Sequence, residues 1–284
     1  MVSKYKNNKY IFHKDILSDD EQSFIKASFK ALAEKEDSFY CLKTSKLIDL
    51  SAVREQLQCD VSVLKNSFDG QQFRLLVTDM DSTLISIECI DEIADMLGIK
   101  PEVSRITEAA MRGELNFEES LTQRVALLKG LPVGELQRVY DERLRLNPGA
   151  EKLIDYLKQK GIKLALVSGG FTFFTDKLKQ RLGIDYTLAN TLDVEGGCLT
   201  GRVEGDIVGA QAKADLLIEL SKTLEIETQQ VIAMGDGAND LRMMDCAGLS
   251  VAYHAKPTVQ AQTDIQINHR GLDAVIDVLK ASSK

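Results

Sequence analysis

This sequence of 284 residues lacks the features that would indicate a membrane protein, a repeat protein or a secreted protein. No apolar run approaches the ~18 residues that a membrane-spanning helix needs, and we find no internal repeat and no stretch of low complexity. The first letters, MVSKYKNNKY, show no basic-then-apolar leader, which favours a soluble protein in the cytoplasm. The formal charge of −8 provides no cationic excess, so nucleic acids and anionic membranes are not expected partners.

Paired cysteines are missing as well. The chain has five cysteines, an odd number, and their scattered positions show no spacing typical of a metal site. Together with the lack of a leader, this favours reduced thiols at all of them: Cys41, Cys59, Cys89, Cys198 and Cys246.

The chain is long enough for a full hydrophobic core and a second, smaller domain. Its 44% hydrophobic and 27% charged residues are ordinary for a globular protein. A polar, glycine-containing stretch at 66–72 precedes an apolar run and predicts a boundary there. We therefore divide the chain into residues 1–70 and 71–284. The first part has mixed helical patterning and no candidate chemistry, so it is interpreted as a packing or dimerisation segment, and a homodimer is one expected assembly.

Beyond this boundary the pattern alternates between strands and helices. Short apolar runs at 73–77, 163–167 and 230–234 each stop at small or acidic residues, as buried parallel strands do. The helical stretches between them predict an α/β fold with a doubly wound, Rossmann-like parallel sheet. Residues at about 88–145 have a helical period and no strand signal, so we interpret them as a helical cap. A β-hairpin is predicted around 196–197.

Two aspartates follow the first apolar run. Asp79 and Asp81 are two residues apart, and in extended geometry their side chains point to the same side. One carboxylate can attack a phosphoryl group when a cation offsets the anionic repulsion, while the other transfers protons. A D-x-D pair alone is also typical of a helix N-terminus, so support is needed from other parts of the chain.

That support comes from the other predicted strand ends, because ligands of a doubly wound sheet bind outside the carboxyl ends of its strands. The GDGAND stretch at 235–240 contains Asp236, Asn239 and Asp240. Their oxygens suit Mg²⁺, although such a stretch alone is also a common turn. If the strands are neighbours, these groups and the two aspartates converge on one small volume.

Phosphate-binding groups are found at two further places. Ser168 and Gly169, within a Ser-Gly-Gly turn at the end of another run, offer a hydroxyl and a backbone N–H to a phosphate. Lys213, near the start of a predicted helix, is a candidate for balancing phosphate charge. Each signal is weak alone, since Ser-Gly-Gly is a frequent turn and a single lysine is usually a solvated surface charge.

These motifs extend into longer segments that run in order from about residue 73 to the end. They are DMDSTLISIECIDEIA from Asp79, AMRGELNFEESLTQRVALLKG from Ala110, VSGGFTFF from Val167, GAQAKAD from Gly209, GDGANDLRMM from Gly235 and AYHAKP from Ala252. With them the chain resembles the bacterial phosphoserine phosphatases of the haloacid-dehalogenase superfamily. The D-x-D and G-D-G-x-N-D pieces indicate the superfamily, and IECIDEI with GELNF narrows the match to the phosphoserine phosphatases.

The resemblance implies hydrolysis of O-phospho-L-serine to L-serine and phosphate, the last step of serine biosynthesis, through an aspartyl phosphate. It implies that Asp79 is the nucleophile and that Asp81 protonates the leaving oxygen and later deprotonates water. Mg²⁺ is the implied cofactor, held by the Asp79 carboxylate, the Asp81 backbone carbonyl and Asp236. The implied ligands of the phosphoryl oxygens are Ser168, the Gly169 amide, Lys213 and Asn239, and Asp240 would support the metal or the lysine.

In the cap, the resemblance implies that Glu88 faces the substrate ammonium and Arg124 its carboxylate, while Met111 and Phe117 close an apolar lid. Without it, Glu88 and Arg124 would be interpreted as ordinary surface charges. Relatives often carry an N-terminal extension, sometimes of the amino-acid-binding ACT type. Residues 1–70 show no clear βαββαβ pattern, so serine binding there is not expected, but an ACT-like domain stays open as a third interpretation beside packing and dimerisation.

Two alternatives stay open. A phosphotransferase, or a phosphatase for another small phosphorylated amino acid, would use the same groups, because acceptor choice depends on the shape of the pocket. A signalling receiver module also surrounds a phosphorylatable aspartate with acidic residues, a Ser or Thr and a Lys. Such a module has no helical cap and does not need Asp81.

Overall fold

The computed structural model of the chain describes residues 8–64 and 68–282. The described residues form two sheets, one of four strands before the predicted boundary and one of seven strands after it. Residues 66 and 67 of that boundary lie outside the described ranges. All five cysteines are described and are free thiols. No helix in these ranges is long and apolar enough to cross a bilayer.

The first sheet has the order β2-β3-β1-β4, and each strand runs antiparallel to its neighbours. Along the chain its elements follow a βαββαβ pattern, which is the split βαβ arrangement of ferredoxin-like domains. They are β1 (Asn8–Phe12), α1 (Asp19–Phe29), β2 (Glu34–Lys35), β3 (Tyr40–Thr44), α2 (Leu50–Leu57) and β4 (Val61–Leu64).

The expectation that residues 1–70 lack this pattern is therefore wrong. Strand β1 is buried on both faces, because Tyr10 and Phe12 pack in the small domain's own core while Ile11 packs into the core of the large domain. A strand buried on both faces loses the alternation of apolar and polar residues by which strands are recognised. Strand β2 has only two residues, too few to show a period.

The second sheet has the order β11-β10-β9-β5-β6-β7-β8. Its strands are parallel from β11 to β7, and β8 pairs antiparallel with β7. This confirms the predicted α/β fold with a parallel sheet. The strands are β5 (Leu75–Thr78), β6 (Lys163–Phe171), β7 (Tyr186–Glu195), β8 (Cys198–Glu204), β9 (Val231–Gly235), β10 (Leu249–Tyr253) and β11 (Ile265–Ile267).

Helices connect these strands, and residues 88–145, all of them described, contain four helices and no strand. These four are α3 (Cys89–Met96), α4 (Lys100–Met111), α5 (Phe117–Ala126) and α6 (Val133–Glu142). The other helices of this domain are α7 (Ala150–Lys160), α8 (Thr172–Leu182), α9 (Ala210–Thr223), α10 (Leu241–Cys246), α11 (Pro257–Gln260) and α12 (Ala274–Ser282).

The strand order places a crevice at the middle of the large sheet. Strands β5 and β9 are neighbours, yet the chain continues from β5 towards β6 and from β9 towards β10, on the opposite side. Ligands of doubly wound sheets bind where the direction reverses in this way. The first residue after β5, Asp79, donates its backbone N–H to the carbonyl oxygen of Met234 in β9 at 2.9 Å. The two strand ends therefore meet at the crevice.

Candidate active site

A pocket of about 580 Å³ opens at the carboxyl ends of β5, β6 and β9, facing helices α4 and α5. It brings together eight of the nine residues that the sequence analysis assigned to catalysis, metal binding or binding of the substrate's polar groups: Asp79, Asp81, Glu88, Arg124, Ser168, Gly169, Asp236 and Asn239. The ninth, Lys213, is fully buried beside Asp79 and does not line the pocket.

Lys213 lies on the first turn of α9 and connects two carboxylates. Its Nζ donates to Oδ1 of Asp79 at 2.6 Å and to Oδ1 of Asp240 at 2.7 Å. Burial alone would lower the pKa of Lys213, but the charges of Asp240 and Asp79 outweigh burial and raise it. The ammonium therefore stays protonated and orients one oxygen of Asp79. Asp240 is itself held by the backbone N–H of Gly237, which donates to Oδ2 at 3.0 Å.

Three carboxylates surround this single ammonium. Oxygens of Asp79, Asp236 and Asp240 all lie within 4.8 Å of one another. Burial, with the neighbouring charge of Asp240, raises the pKa of Asp236 to about 6 and that of Asp79 well above its usual range. Closely spaced carboxylate oxygens with excess negative charge are what a hard divalent cation requires. The donor set therefore fits a divalent metal ion.

Asp81 faces a different set of partners. Its Oδ1 accepts the backbone N–H of Cys89 at the start of α3 at 2.9 Å, and its Oδ2 lies 3.3 Å from the hydroxyl of Ser168. Burial raises the pKa of the Asp81 carboxyl, and the N–H of Cys89 offsets this only in part. A carboxyl with a raised pKa in this position, two residues after Asp79, is suited to donate a proton and then to accept one.

The Ser-Gly-Gly turn lies against the same carboxyl. The hydroxyl of Ser168 accepts the backbone N–H of Gly170 at 2.8 Å, which fixes the shape of the turn. A Cβ atom on Gly170 would lie 2.6 Å from Oδ2 of Asp81, so a larger residue there would displace this carboxyl. Glycine is needed at this position because of the close approach.

Glu88 and Arg124 reach the pocket from the cap. The hydroxyl of Ser82 donates to Oε1 of Glu88 at 2.7 Å. Burial, with the nearby charge of Asp81, raises the pKa of Glu88 to about 7. Arg124 lies on α5, where its Nε donates to the carbonyl oxygen of Ser120 at 3.3 Å. Burial lowers the pKa of Arg124, and three acidic neighbours, Asp91, Glu88 and Asp81, oppose this effect.

The start of α5 sets the position of Phe117. Asn116 caps this helix by accepting the backbone N–H of Glu119 at 2.8 Å, and the Glu119 carboxylate accepts the N–H of Asn116 in return. The Phe117 ring packs on the Ser-Gly-Gly turn, since Cζ lies 2.7 Å from where a Cβ of Gly169 would be. Met111, which also lines the pocket, is 66% exposed.

Comparison with known proteins identifies the family to which the chain belongs. The sequence model of the haloacid dehalogenase-like hydrolases matches residues 76–245. The chain belongs to this family. Among curated relatives, a phosphoserine phosphatase of Polaromonas sp. is 56% identical over 225 residues, which cover 78% of this chain and 95% of that protein.

Two solved structures are similar to this haloacid dehalogenase-like hydrolase over most of its chain. The unliganded crystal structure of a probable phosphoserine phosphatase from Vibrio cholerae matches with a TM-score of 0.84 at 37% identity, covering 99% of this chain and 89% of that chain. A phospho-aspartyl intermediate analogue of phosphoserine phosphatase matches with a TM-score of 0.68 at 43% identity, covering 72% of this chain and 98% of the other.

The site of this hydrolase also contains residues that the sequence did not single out. Ser82 bonds Glu88 and has a φ of 55°, which is uncommon outside glycine. Its place in the DMDST segment was a signal that could have been used. Cys89 acts through its backbone N–H, and no side-chain pattern reveals such a role. Lys256, at the pocket's rim, belongs to the AYHAKP segment but had no assigned role.

Proposed function

We propose that the protein is a phosphoserine phosphatase, which hydrolyses O-phospho-L-serine to L-serine and phosphate. The observation that carries this proposal is that Asp79, paired with the buried Lys213, lines the same pocket as two side chains of opposite charge from the cap, Glu88 and Arg124. The first pair suits a phosphoryl group and the second an amino acid. The phosphoserine phosphatases among its relatives and structural neighbours support the same activity.

Asp79 is the proposed nucleophile. Because Lys213 binds Oδ1, the second oxygen of Asp79 is directed to the phosphorus atom. Its attack forms a P–O bond to Asp79 while the bond between phosphorus and the serine oxygen breaks. The phospho-aspartyl analogue of the 43% identical neighbour supports a covalent route of this kind.

Asp81 is the proposed acid and base. In the first step its carboxyl proton moves to the departing serine oxygen. In the second step the carboxylate accepts a proton from water, whose oxygen attacks phosphorus and displaces Asp79. The backbone N–H of Cys89 keeps the Asp81 side chain in place for both transfers.

Mg²⁺ is the proposed metal. The carboxylates of Asp79 and Asp236 would hold it together with the backbone carbonyl of Asp81, and Asp240 would support Lys213 beside it. When bound, the ion would reduce the repulsion between the aspartates and the phosphoryl oxygens.

The remaining pocket residues bind the substrate in this proposal. Ser168, the Gly169 N–H and Asn239 share the phosphoryl oxygens, together with the buried Lys213 beside Asp79. In the cap, Glu88 binds the ammonium group and the forked guanidinium of Arg124 binds the carboxylate.

Two apolar side chains of the cap complete the site. Phe117 and Met111 cover the reacting atoms and exclude water other than the attacking molecule. The 66% exposure of Met111 is consistent with a lid that closes further over the substrate.

The test is release of inorganic phosphate by the purified full chain from O-phospho-L-serine, O-phospho-L-threonine and an aryl phosphate. Each substrate is measured with Mg²⁺ and with a chelator, and without added alcohol. We expect the highest kcat/KM for O-phospho-L-serine and loss of activity with the chelator. Release that requires an added alcohol would indicate a phosphotransferase, and a stable phosphoprotein without turnover would indicate a receiver module.

A further inference from the structure

The buried side chain of Asn190 on β7 bridges two elements of the site. Its Nδ2 donates to the carbonyl oxygen of Gly169 at 2.8 Å. Its Oδ1 accepts the backbone N–H of Val208 at 2.8 Å. Only 1% of Asn190 is exposed, so it does not touch the substrate itself.

One of these elements is the phosphate-binding turn. The pairing of β6 with β7 is regular up to Val167 and resumes at Phe171, which is paired with Asn190. Residues 168–170 lie between these points, where the register shifts. The Asn190 side chain binds the middle of this irregular stretch and thereby fixes the direction of the Gly169 carbonyl.

The other element is the start of helix α9. Val208 directly precedes Gly209, the N-cap residue of α9, and the backbone N–H of Lys213 donates to the Gly209 carbonyl at 3.1 Å. The position of Val208 therefore determines where the first turn of α9 begins, and with it the distance from Lys213 to Asp79. Asn190 is well suited to this place because its side chain carries both a donor and an acceptor.

The cap contacts the same two elements. A Cβ atom on Gly169 would lie 2.7 Å from Cζ of Phe117, and one on Gly209 would lie 3.5 Å from Cδ1 of the same ring. Phe117 therefore packs across both glycines. A change in the spacing between them would alter both the phosphate site and the surface on which the cap rests.

We propose that Asn190 is a positioning residue that sets the spacing between the phosphate-binding turn and the helix that carries Lys213. This inference rests on the proposed function, because it assumes that both elements bind the phosphoryl group. It predicts that changes at Asn190 weaken binding of the phosphate itself, whatever the rest of the substrate. A merely structural role predicts lower stability with unchanged phosphate affinity in the folded protein.

Two variants test the proposal. Asn190→Asp keeps the acceptor for Val208 and removes the donor to Gly169, while Asn190→Gln keeps both groups on a neutral side chain one methylene longer. Ser250→Ala is the control, since it removes a partly buried hydrogen bond to Asp264, and neither of these two residues lines the pocket. Each protein is measured at a temperature where circular dichroism shows it to be folded.

The first readout is the dissociation constant of inorganic phosphate with Mg²⁺ by calorimetry. The second is kcat/KM for O-phospho-L-serine and for an aryl phosphate. We expect Asn190→Asp to raise the dissociation constant by about tenfold, and Asn190→Gln to raise it as well. Both variants should lower kcat/KM by the same factor on the two substrates, and Ser250→Ala should change neither quantity.

Phosphate affinity equal to that of the wild type in folded Asn190→Gln would overturn the proposal, whether or not Asn190→Asp folds. Unequal losses on the two substrates would overturn it as well, because they would place the effect at the amino-acid end of the pocket. A wild-type protein that neither binds phosphate nor hydrolyses O-phospho-L-serine would instead refute the proposed function, so the two failures are distinguishable.

Discussion

Lys213 Nζ lies 2.6 Å from Oδ1 of Asp79 and 2.7 Å from Oδ1 of Asp240, and all three side chains are buried. A lysine in this position does more than attract phosphate. It orients the carboxylate of Asp79, the proposed nucleophile, and compensates the charge of two buried carboxylates. Stability and activity should therefore depend on the same side chain.

Replacing Lys213 by Met should impair both properties. Removing one partner of a buried ion pair costs about 3–5 kcal/mol, because the other charge is left uncompensated. Loss of the cation should lower kcat by about 10² to 10³. Urea denaturation and phosphate release check the two effects. Lys222→Ala, an exposed position on the same helix, is the control and should change neither. Wild-type stability of Lys213→Met would contradict this account of the pair.

Replacing Asp79 by Asn should abolish turnover without unfolding the protein. The amide can still accept a hydrogen bond from Lys213, and the change removes one negative charge from a group of three carboxylates. We therefore expect metal-free stability equal to or above that of the wild type. Labelling with ³²P-phosphoserine should detect no phosphoenzyme. Asp215→Asn, an exposed change on α9, is the control. Retained burst labelling in Asp79→Asn would rule out its role as nucleophile.

Replacing Arg124 by Ala should affect substrates unequally. We expect kcat/KM for O-phospho-L-serine to fall about 10- to 100-fold, which is what one or two charge-assisted hydrogen bonds contribute. An aryl phosphate has no carboxylate and should lose far less. Arg105→Ala, an exposed change on α4, should affect neither substrate. Equal losses on both substrates would show that Arg124 does not bind the substrate carboxylate.

The ionisation of Glu88 should be visible in the pH dependence of specificity. Burial and Asp81 raise the pKa of Glu88 to about 7, so its carboxylate is increasingly protonated below that pH. A neutral Glu88 attracts the substrate ammonium less, so selectivity for phosphoserine is present above pH 7 and is lost as the pH falls. The measured quantity is the ratio of kcat/KM for O-phospho-L-serine to that for an aryl phosphate, which cancels the titration of the phosphate group.

In the wild type this ratio should fall up to about tenfold per pH unit below the pKa. In Glu88→Gln it should be low and independent of pH. A pH-independent ratio in the wild type would mean that the ionisation of Glu88 does not control ammonium binding.

The fold and the candidate site of the large domain could be predicted because the candidate site residues lie at the ends of its strands. Asp79, Ser168 and Asp236 each end or follow a short apolar run, and parallel strands bring such ends to one edge of the sheet. Periodicity could not predict that Lys213 would be buried against Asp240. A single lysine gives the same sequence pattern whether its side chain is solvated or paired with a carboxylate.

Other features could not be predicted from the sequence, and each has a physical reason. The small domain's strands showed no alternation, since β1 is covered on both faces. The Asn190 side chain binds a backbone carbonyl, and Cys89 uses its own backbone N–H. Hydrogen bonds of backbone groups cannot be predicted from the pattern of side chains.

The contact between the two domains should depend strongly on Asp60. This buried carboxylate, between α2 and β4, accepts three backbone N–H groups of the segment that joins β11 to α12. The donors are Asn268 at 2.7 Å, His269 at 2.9 Å and Arg270 at 2.8 Å. Asp60→Ala leaves these N–H groups without their acceptor and should lower the free energy of unfolding by about 3 kcal/mol. Asp60→Asn keeps one oxygen and should cost less.

Urea denaturation followed by circular dichroism measures these losses. Because Asp60 does not line the pocket, kcat of the folded variants should equal that of the wild type. Asp20→Ala, an exposed change in the first turn of α1, is the control and should have little effect on stability. If Asp60→Ala unfolds at the wild-type urea concentration, these hydrogen bonds do not hold the domains together. A fall in kcat at unchanged stability would show instead that the small domain acts on the catalytic site.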